Sequence, residues 1–404
     1  MEILEKEKGM KILVVGNRIP WPLHDGGAMA TYNLLKGLSN THELTYFSFN
    51  TKKHFNDARS IKENFTFCEV ITAEIDATPN TKQAIINTVF RKNSYFLSRY
   101  KNKAAENKLI EILVNGSYEL AIIEGLYSSN FLKIIRENSN LPVVYRAHNV
   151  ESEIWARNTA NTRNTLKKSF LKIQTNRLQK EEEEFIIKVD GIISISPSDT
   201  SYFNGKSKAK IFQYLPGFPF RIREKSKLQP MRMFHIGSME WDANNEAVGW
   251  FLRKVWPLVL SVYPEAEFHV AGKGLSTADN RFFMKGVYNH AEVENAEEFM
   301  INHGVCVVPL KAGSGIRMKL LQAMSLGIPC VSTTIGAQGI ELNNNPVLIA
   351  DDAKTFAKQV VSLLSDHRTA IELGKTSQKY IDAHHNEAQN LEQLNIFLQQ
   401  VTHH

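Results

Sequence analysis

Three short stretches of this 404-residue chain concentrate groups able to bind or turn over a phosphorylated ligand. The richest begins where the apolar run Val305 to Val308 gives way to Lys311-Ala-Gly-Ser-Gly-Ile-Arg-Met-Lys-Leu-Leu-Gln322. Its Gly-Ser-Gly turn (Gly313, Ser314, Gly315) leaves backbone amides open to oxygen atoms. The helix expected over Ile316 to Leu326 carries Arg317, Lys319 and Gln322 in its first turns. Cations at a helix N-terminus oppose the macrodipole, each by about 0.3–1 kcal/mol, so an anionic partner such as a diphosphate is the natural compensation. A surface helix with incidental basic residues is the alternative.

The second stretch is the breaker-rich loop Gly16 to Gly27, which follows an apolar strand and opens a helix near Ala28. Gly26 and Gly27 let a backbone approach a ligand closely, and a helix start offers unpaired N–H donors to phosphate or sugar oxygens. A tight turn that needs glycine only for its geometry is the competing reading. No Gly-x-Gly-x-x-Gly fingerprint and no Gly-Lys-Ser/Thr is present there, which argues against dinucleotide and P-loop chemistry. The third stretch, Tyr145-Arg-Ala-His-Asn-Val-Glu151, gathers Arg146, His148, Asn149 and Glu151 at the end of a strand, where open parallel sheets bind ligands.

Short apolar runs alternate with longer amphipathic ones, which is the pattern of stacked βαβ units and an α/β fold. Strands are expected at Lys11 to Val15, Leu44 to Phe49, Leu120 to Ile123, Val143 to Tyr145, Gly191 to Ile195 and Ile211 to Leu215. Between them, Glu151 to Val189 is helical in composition. The pattern breaks at Leu215-Pro-Gly-Phe-Pro219, and a linker is expected from there to Pro230. Strands resume at Met233 to Ile236, Glu267 to Ala271, Val305 to Val308, Pro329 to Ser332 and Val347 to Ala350. Helices are expected over Glu246 to Val259, Lys354 to Leu364, Thr369 to His384 and Glu387 to Val401. This gives an N-terminal domain over 1–217 and a C-terminal domain over 231–385. The last helix, 386–402, lacks a strand partner and is expected to pack back on the first domain.

With 43% hydrophobic and 22% charged residues the composition is that of a soluble globular protein. No window is apolar enough to span a bilayer, and the N-terminus has no cleavage-like segment. Three scattered cysteines, Cys68, Cys306 and Cys330, fit buried thiols in a reducing cytoplasm better than a disulfide framework or a metal site. A net charge of +6 is modest for a nucleic-acid binder. Its distribution is uneven: every charged residue from Arg157 to Lys180 is basic, and Arg91 to Lys108 is similarly biased. Solvated helix faces explain this, as does attraction to an anionic membrane surface, at the inner face of the plasma membrane, or to a phosphorylated acceptor.

Four segments together resemble the retaining glycosyltransferases of the GT-B fold, family 4: the Gly26-Gly27 loop, Tyr145 to Glu151, Phe234-His-Ile-Gly-Ser-Met-Glu-Trp-Asp-Ala-Asn-Asn-Glu246, and Gly313 to Gly339. The resemblance implies two Rossmann-like domains with parallel sheets facing a central cleft, the second binding a nucleotide sugar. It implies that Gly26 and Gly27 face the donor diphosphate or the acceptor, that His148 contacts the donor sugar, and that Arg317 and Lys319 clamp the diphosphate. Gly286 and Val287 resemble the segment bordering the base, Gly272 ends the strand before it, and Gly313, Ser314 and Gly315 form the phosphate turn. The implied partners are a nucleotide sugar donor and a glycan or lipid-linked acceptor of cell-envelope polysaccharide biosynthesis, with no cofactor and no nucleic acid.

The sequence departs from the family pattern in two places. Gln322 and Ser314 stand where two glutamates are usual, so the ribose contact loses a charge-assisted hydrogen bond. Met239-Glu-Trp-Asp242 replaces the usual arginine and lysine after Gly237-Ser238, which leaves Arg317 and Lys319 to meet the leaving-group charge. No Asp-x-Asp pair is present, and the expected transfer is metal-independent. Gln322 keeps open a catalytically silent sugar-binding or scaffold subunit of a polysaccharide-assembly complex. A GT-B epimerase would need acid/base carboxylates, for which only Glu124 and Glu151 offer themselves.

Overall fold

The computed structural model describes residues 9–23, 26–215, 217–218, 231–276, 278–313 and 315–403. They form two compact units, one drawn from 1–23, 27–214 and 391–404, the other from 24–26 and 215–390. Most of the expected linker, 219–230, lies outside the described residues.

In the first unit the seven strands are β1 (Lys11–Gly16), β2 (Glu43–Thr51), β3 (Glu69–Ile75), β4 (Leu120–Glu124), β5 (Val143–Arg146), β6 (Gly191–Ser194) and β7 (Lys210–Gln213). They line up as β3-β2-β1-β4-β5-β6-β7, all parallel. Such strands are covered by helices on both faces and need apolar side chains on both, which is why Ile12 to Val15 and Leu120 to Ile123 are wholly buried. The order reverses between β1 and β4, and ligands bind at the carboxyl ends of strands beside such a switch.

In the second unit the strands are β8 (Arg232–Ile236), β9 (Glu267–Ala271), β10 (Val287–Asn289), β11 (Val305–Val308), β12 (Cys330–Ser332) and β13 (Leu348–Ile349). Their order, β10-β9-β8-β11-β12-β13, is again parallel, with its switch between β8 and β11. All three cysteines are free thiols.

Sequence periodicity missed β3 and β10, because both are edge strands with mixed burial and no clean apolar run. The long helical stretch after Glu151 is two helices, Glu151–Asn161 and Thr165–Ile186. They are separated by the Asn164 side chain, which accepts from Lys167 N at 2.9 Å and starts the second. The buried Glu182 of the second helix accepts from Glu151 N at 2.9 Å and Ser152 N at 3.0 Å, capping the first.

The final helix, Glu387–Thr402, lays Leu394, Phe397, Leu398 and Val401 on a cluster that includes Ile12, Val14, Leu34, Val144 and Ile193 of the first unit. Phe397 stacks on Phe212 at 5.3 Å. A Phe397→Ala substitution should therefore cost the first unit about 3–5 kcal/mol. Urea unfolding followed separately for the two units should show the first transition move to lower denaturant while the second stays in place.

Candidate active site

Each unit gathers most of its expected functional residues at the carboxyl edge of its sheet. Gly26 and Gly27 open the helix Gly26–Leu38, which follows β1 and from Gly27 on belongs to the first unit. One turn on, Thr31 Oγ1 reaches both Gly27 O at 3.0 Å and the carboxylate of Glu124 at 2.7 Å. Glu124 ends β4 and Arg146 ends β5, and the sheet register places them side by side.

The Glu124 carboxylate is 2% exposed, and its Oε1 is shared by Thr31, Arg146 and His148. Burial pushes its pKa upward, but the charges of Arg146 and His148 and the hydrogen bonds from His148 and Thr31 outweigh this and hold it at about 2. An ionised carboxylate only accepts, so the 2.7 Å contact fixes His148 with its proton on Nε2 and leaves Nδ1 as the other ring position. Sequence reasoning had singled out His148 but had given no role to the buried carboxylate that orients it. The signal was present, since Glu124 is the charged residue in Leu120-Ala-Ile-Ile-Glu124.

Glu151 lies apart from this cage. Its carboxylate accepts from Tyr127 OH at 3.1 Å, and Trp155 Nε1 donates to the same phenol oxygen at 3.1 Å. Burial first and the nearby Glu182 second raise its pKa to about 7. One candidate carboxyl is thus locked as an acceptor and the other is packed under an aromatic layer, an arrangement that gives no acid/base pair for an epimerase.

In the second unit the loops after β8, β9 and β11 converge. Gly237 N donates to Ala271 O at 3.0 Å and Met239 N to Lys273 O at 2.7 Å. Gly272 has φ +147°, and a Cβ there would lie 1.9 Å from Gly237 O, so the approach of the two loops requires glycine. Gly313, at φ +111°, is flanked by Trp241 and Arg317, whose nearest atoms would lie 2.7 and 2.9 Å from a Cβ. Gly315 also has positive φ, +86°. Ser314 lies outside the described residues.

The helix after this turn runs over Met318–Ser325, one turn shorter than expected, and Arg317 is its N-cap residue. The Arg317 guanidinium sits 5.1 Å from the centre of the Trp241 ring. Lys319 Nζ donates to Gln322 Oε1 at 3.3 Å. Burial lowers the Arg317 pKa to about 10 and that of Lys319 to about 8. Desolvation of two neighbouring cations is the condition an anion would relieve. Trp241, which replaces a basic residue of the family pattern, went unassigned from sequence; it supplies a π face to Arg317.

Gly286 and Val287 require a correction. They lie at the amino end of β10, where Phe268 N donates to Gly286 O at 2.7 Å and a Cβ on Gly286 would meet Ala266 O at 2.5 Å. In a parallel sheet that is the edge opposite Gly272 and Gly313, so these residues serve strand pairing and do not border a ligand at the carboxyl edge.

Two open parallel sheets with these loop sites define the GT-B architecture, and solved structures confirm the fold. Sucrose-phosphate synthase from Thermosynechococcus elongatus superposes with a TM-score of 0.66 at 13% identity, over 97% of this chain and 99% of that one. HepE of Anabaena, in complex with UDP and glucose, gives 0.65 at 10% identity over 96% and 99%. A TarM variant of S. aureus, in complex with Fondaparinux, alpha-GlcNAc-glycerol and UDP, gives 0.65 at 12% over 96% and 99%. Residues 230–366 match the family described as Glycosyl transferases group 1. An uncharacterized 44.6 kDa protein in the cps region of Klebsiella pneumoniae is 24% identical over 369 residues, covering 87% of this chain and 90% of the relative. The fold is GT-B over the whole length compared, and the match to glycosyl transferases group 1 lies in the second unit.

Glu124→Gln should destabilise the first unit by about 3–5 kcal/mol, because it leaves the Arg146 guanidinium, 1% exposed, without its counter-charge. The folded carboxylate is depressed to about 2 from an ordinary 4.5, so its contribution is complete above 4.5 and is lost as pH falls through 2. Acid titration of melting temperature should show that loss in the native chain and a flatter limb in the glutamine variant.

Proposed function

We propose that this chain transfers a sugar from a nucleoside diphosphate donor to a hydroxyl of a glycan, lipid-linked or cell-envelope acceptor, with retention of configuration and without a metal ion. The observation that carries the reading is the pair of desolvated cations, Arg317 and Lys319, at the carboxyl edge of a sheet inside the segment matched to glycosyl transferases group 1. A diphosphate gains charge as its bond to the sugar breaks, and fixed cations stabilise that charge more in the transition state than in the ground state. The C–O bond to the leaving phosphate breaks, the acceptor oxygen bonds to the anomeric carbon on the same face, and the acceptor proton passes to a leaving phosphate oxygen. No protein nucleophile is required. In the first unit, His148, oriented by Glu124, offers its Nδ1 side to a sugar hydroxyl. Gly272, Gly313 and Gly315 let backbone amides approach phosphate oxygens, Gly26 and Gly27 offer the helix start, and Gln322 takes the ribose contact.

The cps-region relative supports a place in capsule or envelope polysaccharide assembly. A surface of the first unit supports contact with an anionic bilayer. The helix Thr81–Phe90 exposes Ile85, Ile86, Val89 and Phe90, the last 77% exposed, and the adjoining helix Thr165–Ile186 exposes Leu166 and Ile173. Arg177 fastens the two helices by donating to Asn87 O at 3.2 Å and Thr88 O at 2.9 Å. Exposed Lys82, Arg91, Lys92, Arg163, Lys167, Lys168 and Lys172 surround the apolar groups. Apolar insertion and roughly 1 kcal/mol for each basic residue near an anionic surface favour reversible binding in the cytoplasm. Among the described residues no helix is long and apolar enough to cross a membrane.

Nucleotide sugars should first be screened by thermal shift and the products then analysed on a lipid-linked acceptor; donor binding without any transfer would favour the silent scaffold. Arg317→Ala and Lys319→Ala should each lower kcat/KM by roughly tenfold to a hundredfold, the loss expected for one charge-assisted contact of about 1.5–3 kcal/mol. Lys311→Ala should matter less, since that ammonium lies over the Trp250 ring at 4.3 Å and donates to Asp351 O. Near-normal transfer by the Arg317, Lys319 double alanine variant would remove the site. Co-sedimentation with phosphatidylglycerol vesicles should weaken with salt and fail for Phe90→Glu; indifference to both would leave these helices as solvated surface.

A further inference from the structure

The second unit carries a cluster of imidazoles that sugar transfer leaves unused. His269 lies in β9, His290 directly follows β10, and His303 lies between the helix Ala296–Ile301 and β11. One nitrogen from each falls within 4.8 Å of the others. His269 Nδ1 and His290 Nε2 are 2.9 Å apart. His269 and His303 are buried, whereas His290 is exposed and opens the cluster to solvent.

The second nitrogens of the two buried rings are already committed. His269 Nε2 lies 3.2 Å from Glu267 Oε2, and His303 Nδ1 lies 2.5 Å from Phe299 O. Carboxylate and carbonyl oxygens only accept here, so each ring carries its proton on that side, and the His269 Nδ1 lone pair faces His290. This carboxylate–histidine arrangement is how proteins fix the tautomer and raise the basicity of metal-bound imidazole. Glu267 is held in turn by Arg232 Nε at 2.6 Å, and Tyr288 stacks on the His269 ring at 4.9 Å.

We infer that His269, His290 and His303 form a zinc-class divalent metal site that staples the edge of the second sheet. Imidazole suits zinc and its neighbours at about 2.0–2.1 Å, and the three ligating atoms, within 4.8 Å of one another, would close in on an ion at that distance. Binding would replace the imidazole–imidazole hydrogen bond of His269 and His290 by two nitrogen–metal bonds, moving the His290 proton to Nδ1. Solvent fills the fourth position beside His290. The benefit is mechanical: β10 is a three-residue edge strand, and the metal joins the segment after it to β9 and to the segment leading into β11. The ion takes no part in sugar transfer, whose cations are Arg317 and Lys319.

The test uses the untagged full chain, stripped by chelation and titrated calorimetrically with zinc. One equivalent should bind, raise the melting temperature of the second unit, and, with cobalt substituted, give the visible absorption of a low-coordinate ion. His290→Ala changes an exposed side chain, and circular dichroism checks its fold; it should lose that equivalent. Glu267→Gln should retain the site with affinity roughly 10- to 100-fold weaker. The comparison with His290→Ala also cancels zinc held by His384, His385, His403 or His404. No saturable uptake, or uptake unchanged in His290→Ala, would overturn the site and leave a hydrogen-bonded histidine cluster only.

Discussion

The first unit depends on keeping one carboxylate ionised where water cannot reach it. Glu124 can stay charged at 2% exposure only if cations and donors surround it, and Arg146, His148 and Thr31 meet that demand from β5, the loop beyond it and the first helix. The same contacts join the ends of two central strands to the start of a helix at the switch in strand order. A buried ion pair is weak evidence of added stability, since desolvation offsets much of its attraction, but it resists rearrangement because separating either partner is costly. Its structural role here is positional. It holds the His148 ring in one orientation at the carboxyl edge of the sheet.

The second unit follows the opposite electrostatic logic. Arg317 and Lys319 are desolvated at a helix start, and the contacts described for them are a tryptophan face and a glutamine amide. Neither contact neutralises charge. The glycines at 272 and 313 keep the surrounding backbone close, at 313 beside Trp241 and Arg317. Trp241 holds the guanidinium by its ring face without bringing a negative charge to the place where a phosphate would sit.

Much of this was legible in the sequence, because buried parallel strands leave continuous apolar runs and phosphate turns leave glycines. All eleven expected strands appear, most with ends shifted by a residue or two, as for Ile211 to Leu215 against Lys210–Gln213. The edge strands β3 and β10 were not legible, since a strand exposed on one side carries no unbroken apolar signal. The break at Asn164 was hidden by a helical composition that continues through it. In the site, Arg317, Lys319 and His148 could be chosen from residue type and position. What Glu124 does could not, because a lone acid at the end of a strand reveals its partners only when β4, β5 and the first helix are brought together. Gly286 and Val287 misled for a related reason: the motif marks a strand, but not which of its ends faces the ligand.

The last helix has a consequence for how the molecule is made. Its apolar side covers strands synthesised before the second unit, yet residues 391–402 follow that unit in the chain. During synthesis the side of β1, β5 and β6 that will meet Leu394, Phe397 and Val401 must wait uncovered while the whole second unit is translated and is free to fold. The first unit is thus the first to begin and the last to close. A chain lacking residues 391–402 would keep every residue assigned to the transfer site and still present an apolar sheet face to chaperones and proteases.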